Sequence, residues 1–268
     1  MVMFKEFVLL PWCNRYLLMQ LTRREITARY KGFFLGMLWA LLQPLLLMGI
    51  YYFVFGLIFQ PRWPQADSDR GVFVLILFLG IVIFDVCSSA LLRGPQLILD
   101  HRVFVKKVIF PLEIFSWVSL FTTLFYFLLT FVLWVLIAAL FGNLKLSGLY
   151  YIILLIFCMS GYYLGLTWFF SAAAVFARDI TTILQPVNSA ILFFTPVFYP
   201  LSAVPEKLRF VFRFNPLAFM VESARNALLF AEKPQWNWYG LYAAIGWVMA
   251  LLGFAFFRGC KRVFADCL

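Results

Sequence analysis

Six stretches of the chain are long, apolar and almost free of charge, and shorter, more polar segments separate them. Residues 35–59, 149–176, 180–200 and 238–257 contain no charged side chain. Residues 72–92 carry one acid, Asp85, and residues 112–141 open with Glu113. A bilayer-crossing helix needs about 20 mostly apolar residues, and each stretch is long enough. Helices satisfy every backbone group within the segment, whereas barrel strands would alternate polar and apolar positions, which these do not. The pattern therefore predicts an all-α integral membrane protein with six transmembrane helices. Pro186, Pro196 and Pro200 predict that the fifth is broken.

Outside the spans, Leu18, Thr22, Ile26 and Tyr30 follow i, i+4 spacing, while Gln20, Arg24, Thr27 and Lys31 fall on another face. Residues 15–31 thus read as an amphipathic helix lying at the membrane surface, a lipid anchor or a docking element. In 93–111, Arg102, Lys106 and Lys107 surround apolar Val103, Phe104 and Val105, as a solvated basic loop or a contact surface. In 201–236, Asn215 is a good N-cap before Pro216, and Leu217, Met220, Val221, Ala224 and Leu228 form a stripe opposite Glu222, Arg225 and Asn226. Two short outer helices are expected, near 205–212 and 216–230. Phe210, Phe212 and Phe214 alternate, so a strand over 208–214 stays open. No repeat or low-complexity linker divides the chain, and residues 1–268 are expected to form a single domain. Residues 1–31 lack the apolar core and cleavage site of a signal peptide, so the first span is expected to direct its own insertion.

Composition narrows the class. The 268 residues are 65% hydrophobic and 13% charged, against about 25% charged in soluble domains. This excludes a soluble enzyme or a disordered chain. The net charge of +10 reflects topology and contact with anionic lipid, not nucleic acid. With the N-terminus inside, the basic segments 15–31, 93–107 and 258–262 and Arg178 are cytoplasmic, and the first two outer loops hold few cations. Both termini are then cytoplasmic. The five cysteines lie in the membrane or a reducing compartment, which argues against disulfides. With no CxxC pair and one histidine, His101, no metal site is expected.

No G-x-x-x-x-G-K-[ST] phosphate loop is present, so ATP is not bound by that motif. Asp85 is the one acid deep in a span. Its expected place is near a helix end, bonded to Ser88 or Ser89 or facing Arg93, since one acid makes no proton relay. Aromatic residues are 21% of the chain and mostly pack or face lipid. Two clusters stand apart: Tyr51, Tyr52, Phe53 and Phe55 in the first span, and Phe193, Phe194, Phe198 and Tyr199 in the fifth. Aromatic faces can stack on sugar rings while letting them slide.

Several motifs occur in order: Arg23 to Lys31, then Leu35-Gly36-Met37-Leu38-Trp39 through Gln43-Pro44; Val105-Lys106-Lys107 through Pro111; Phe176-Ala177-Arg178-Asp179-Ile180; Thr195-Pro196 through Pro200; and Phe214-Asn215-Pro216. Together they cover nearly the whole chain. It resembles the permease subunit of ABC-2 type exporters, in the branch serving O-antigen, capsule and teichoic acid export. The resemblance implies a non-enzymatic transport subunit in the bacterial inner membrane. It implies a homodimer with two copies of a separate cytoplasmic ATPase, which would bind the ATP and Mg while this chain binds no cofactor. Arg23, Arg24, Arg29, Lys31, Arg102, Lys106, Lys107, Arg178 and Asp179 would then dock the ATPase or hold the diphosphate of a lipid-linked glycan. Gln43, Tyr51, Tyr52, Phe55, Phe193, Phe194, Phe198 and Tyr199 would line a glycan channel at the dimer interface. Phe212, Asn215, Pro216, Glu222 and Arg225 would belong to two re-entrant outer helices gating its exit, where Glu222 and Arg225 must pair or face water. The expected cargo is O-antigen on undecaprenyl diphosphate. Capsule, teichoic acid or a small lipophilic compound is the alternative, and a multi-span acyltransferase or polymerase the remote one.

Overall fold

The computed structural model describes residues 2–59, 70–105, 110–233 and 235–267. Every long apolar stretch but one becomes one long helix. In chain order the helices are α1 (Val2–Cys13), α2 (Arg15–Tyr30), α3 (Trp39–Tyr51), α4 (Arg70–Arg93), α5 (Gln96–Leu99), α6 (Arg102–Val105) and α7 (Ile114–Leu140). There follow α8 (Tyr151–Phe176), α9 (Ile180–Phe193), α10 (Glu206–Arg213), α11 (Pro216–Leu229), α12 (Trp236–Lys261) and α13 (Phe264–Cys267). α3 runs on into wide π-type turns at Tyr52–Phe59. No strand occurs among the described residues, and 208–214 falls largely within α10, so the strand alternative is set aside.

Five segments among the described residues are long and apolar enough to cross a membrane: Gly36–Ile58, Gly71–Arg93, Ile114–Leu140, Leu146–Phe176 and Trp236–Lys261. The stretch expected as a fifth crossing, 180–200, is different. α9 stops after 14 residues, and the chain continues without helix through Pro196 and Pro200. Pro186, expected to help break this stretch, lies inside α9 without ending it; Pro196 lacks the N–H a further turn needs and disfavours helical backbone at Thr195, and the helix ends at Phe193. Helicity alone therefore gives five crossings where hydropathy gives six.

α4 is the hub. Its residues Leu75, Ile76, Leu77, Leu79 and Ile83 are fully buried, and α7, α8, α9 and α11 pack around it. α3 is the opposite: an apolar helix almost wholly exposed within the protomer. The tightest pair is α8 with α12. A Cβ built on Gly161 would lie 2.7 Å from the Gly246 carbonyl carbon, and one on Gly165 would lie 2.8 Å from the Met249 backbone. Small residues let backbones touch where lipid removes the hydrophobic incentive for helices to associate. Inside the bundle, Ser119 and Thr123 of α7 meet the Tyr163 hydroxyl of α8 at 2.7 and 2.9 Å.

Candidate functional site

At the end of the molecule where α2 lies, acids and bases join elements distant in sequence. Glu25 of α2 forms an ion pair with Arg93, the last residue of α4, and accepts a hydrogen bond from the Thr122 hydroxyl of α7 at 3.0 Å. Tyr126 of α7 donates to the Ile26 carbonyl at 3.2 Å, and the Arg29 guanidinium lies 4.6 Å from the Tyr126 ring centre. Leu18 packs with Ile114 and Val118 of α7. α2 is thus latched to two spans rather than simply floating on lipid. Its Arg23 and Arg24 point outward and are exposed. Two more pairs close this end. Arg258 meets Glu6, and Lys261 holds both oxygens of the buried Glu113 carboxylate at 2.8 and 2.9 Å. Arg102 is exposed and donates to the Leu99 carbonyl at 3.0 Å. Arg178 and Asp179 form the exposed turn between α8 and α9.

Asp85 does not pair with Ser89, whose hydroxyl donates to the Val86 carbonyl and meets Thr123. Instead Asp85 borders a cavity of about 400 Å³, shared with Arg29, Gln43, Ser88 and Arg93.

The two aromatic clusters meet. Phe55 stacks on Phe198 at 5.8 Å, Tyr51 lies 6.3 Å from Phe55, and Phe193 lies 6.5 Å from Phe198. Tyr199 donates to the Phe193 carbonyl and lies edge-on to Phe212 of α10 at 6.1 Å. A chain of ring contacts thus runs from Tyr51 of α3 to Phe193 of α9, and the Tyr199 hydroxyl joins it to the Tyr199–Phe212 pair. Tyr52 is exposed beside this chain. Phe194 is separate, beside Asn215 and Pro216 at an apolar cavity of about 330 Å³.

Above the rings, Asn215 caps α11 by accepting from the Leu217 N–H at 2.9 Å and donates to the Phe194 carbonyl at 3.0 Å. Arg225 is buried, 1% exposed. It donates to the carbonyls of Ile76, Pro196 and Val197 at 3.0, 2.6 and 2.9 Å and pairs with Glu222 at 3.3 Å. The pairing required of these two charges is present. One guanidinium fork thereby ties α11 to α4 and to the proline-broken segment after α9.

Residues 16–229 match the family described as ABC-2 type transporter. The chain belongs to that family. The O-antigen export system permease protein RfbA of Klebsiella pneumoniae is 25% identical over 253 residues, spanning 94% of this chain and 95% of that protein. RfbA of Myxococcus xanthus is 26% identical over 254 residues, with the same coverage. The polysialic acid transport protein KpsM of Escherichia coli is 24% identical over 246 residues, 88% of this chain and 90% of that protein. This ABC-2 permease is accordingly a multi-pass protein of the bacterial inner membrane and a transport subunit.

Of the residues the sequence singles out in this ABC-2 permease, Arg23 and Arg24 are exposed on α2, Phe55 meets Phe198, and Arg225 is buried beside Glu222. Lys106 and Lys107 lie outside the described residues. What sequence reasoning missed are the partners. Thr122 and Tyr126 carry no motif, Glu25 lies in the Arg23 to Lys31 run with no role of its own, Arg93 reads as a partner for Asp85, and Arg258 and Lys261 read only as topology. A polar Thr and Tyr one turn apart on α7 were the available signal.

Proposed function

We propose that this permease is the membrane subunit of an ATP-driven exporter that moves a lipid-linked polysaccharide, O-antigen on an undecaprenyl diphosphate carrier, across the inner membrane. The observation that carries the reading is near full-length similarity to O-antigen export permeases of two bacteria. The working unit is a homodimer of this chain with two ATPase subunits, which bind the ATP and Mg. The exposure of α3 favours a second copy as its cover. In this reading both termini are cytoplasmic. α9 and the turns that follow it to Pro200 make the sixth crossing, and α10 and α11 re-enter the membrane from outside. The exposed apolar Leu208, Phe210, Val211 and Phe214 favour lipid contact for α10.

The mechanism follows from the latch. ATP-driven movement of the partner displaces Arg23, Arg24, Arg102, Lys106, Lys107 and the Arg178–Asp179 turn. Glu25 passes the displacement of α2 directly to α4 through Arg93 and to α7 through Thr122. Arg29 and Lys31, at the end of α2, suit the carrier diphosphate. The sugars follow the ring chain of Tyr51, Phe55, Phe198 and Phe193, joined by Tyr52, Phe194 and Tyr199. Gln43 lines the route nearer the inner side, and Phe212, Asn215, Pro216, Glu222 and Arg225 form the outer gate. Similarity to the polysialic acid transport protein favours capsule export as the second reading.

Affinity purification of the tagged chain should recover an ABC ATPase, and the charge-reversed Arg23→Glu/Arg24→Glu variant should lose it. Deletion of the chain should leave lipid-linked glycan on the cytoplasmic face. Normal surface glycan after deletion would sink the export reading.

A further inference from the structure

A cavity of about 480 Å³ lies beside α11, residues 232 and 233 and the start of α12, with Phe212 of α10 also in its wall. Its wall combines an aromatic platform with planar hydrogen-bonding groups. Phe219 stacks on Tyr242 at 4.8 Å, and Trp238 lies 6.1 Å from Tyr242 at an interplanar angle of 26°. Trp238 is 44% exposed, so its ring is available to a ligand. Opposite stand Glu222, Asn226 and Glu232. Glu232 is held there by a built turn. Ala231 takes a left-handed backbone conformation, φ 56°, the one non-glycine to do so among the described residues. The turn returns the Glu232 N–H to the Asn226 carbonyl at 2.9 Å, and the Asn226 amide donates to the Glu232 carboxylate at 2.7 Å. An alanine in this conformation costs on the order of 1 kcal/mol, and such strain persists where the surroundings fix it, often at binding sites.

We propose that this cavity is a saccharide-binding site, and that it takes a neutral or N-acetylated sugar unit of the emerging chain. The inference rests on the outer placement of α11 and the export role given above. A pyranose presents apolar C–H groups on one face and hydroxyl donors around its rim. The electron-rich ring faces match the first, and carboxylate and amide oxygens match the second. Charge sets the selectivity: Glu222 is already balanced by Arg225 at 3.3 Å, and the carboxylate that Asn226 fixes in the wall is that of Glu232, with Lys233 the one cation in the lining. An acidic sugar such as a sialic acid would meet like charge and lose affinity. The site would hold the emerging chain outside the channel and so bias its movement outward.

The test is binding to the purified full-length permease, with its ATPase where the two co-purify, by saturation-transfer NMR and tryptophan fluorescence. The probes are maltotetraose, the tetramer of N-acetylglucosamine, and an α2,8-linked sialic acid tetramer. Saturable binding of a neutral tetramer is expected, at least about tenfold tighter than the sialyl tetramer. Trp238→Ala should weaken it about tenfold or more. Glu232→Gln, at an exposed position, should narrow the preference against the sialyl tetramer. No saturable binding of any probe, equal affinity in Trp238→Ala, or tighter binding of the sialyl tetramer would overturn the proposal. Binding in solution is read independently of export. A permease that binds these sugars but is dispensable for surface glycan refutes the export reading alone. One that is required for export but binds none refutes the saccharide site alone.

Discussion

Replacing Arg225 by methionine removes one buried fork and keeps the apolar stem. In the native protein its five N–H donors serve three carbonyls and Glu222. The Ile76 carbonyl lies inside α4 and keeps its intrahelical partner, so its loss is small. The Pro196 and Val197 carbonyls are buried in a non-helical segment, and each orphaned group costs about 1–3 kcal/mol. Glu222 keeps some solvent access, 25% for its side chain, so its unpaired charge adds less than a fully buried one. The total is about 3–5 kcal/mol, the usual range for breaking a buried pair by removing one partner. For a chain of this size that corresponds to roughly 10 °C in melting temperature. Fluorescence-detected size-exclusion melting of the solubilised permease would measure it, alongside Arg225→Lys. Lysine keeps the charge but cannot span three carbonyls and should recover less than half of the loss. Export should fall in both variants, because the segment after α9 loses its tether to α4 and α11. A melting temperature within 2 °C of wild type for Arg225→Met, about 1 kcal/mol, would refute the reasoning.

Four further outcomes follow from the same geometry. Gly165→Ala drives a Cβ against the Met249 backbone at 2.8 Å and should destabilise by roughly 1–3 kcal/mol, whereas Gly240→Ala, with open space around it, should be close to neutral in the same melting assay. Glu113→Gln removes the partner of Lys261 and should cost about 1–3 kcal/mol; a double-mutant cycle with Lys261→Met that gives no coupling would make the pair incidental. Glu25→Gln should leave ATPase assembly and hydrolysis intact while surface glycan falls, and unchanged export would show that the latch does not transmit movement. Phe55→Ala with Phe198→Ala should impair export without loss of assembly; normal export reduces the ring chain to packing.

Spans, the amphipathic helix and the cap at Asn215 were legible because each depends on neighbours within a few residues. Twenty apolar residues in a row, a four-residue spacing or an Asn-Pro pair carry their meaning locally. The fifth crossing shows the limit. Hydropathy ran through 180–200, but backbone chemistry at Pro196 and Pro200 ended the helix at Phe193, and hydrophobicity does not register a missing N–H.

By itself, then, the sequence determined the membrane class, the approximate bounds of its apolar helices, the basic face of α2 and the need for Glu222 and Arg225 to be satisfied. Only the tertiary structure decided which charges meet. Glu25 and Arg93 are 68 positions apart, and Glu113 and Lys261 are 148 apart. No local pattern encodes such a pair, and each cation read equally well as a mark of topology. Packing made the difference: it brings Arg93 to Glu25 at the rim, and the buried Glu113 carboxylate, 7% exposed, meets the cation that α12 delivers. Packing also brought the two aromatic clusters together, with Phe55 stacked on Phe198.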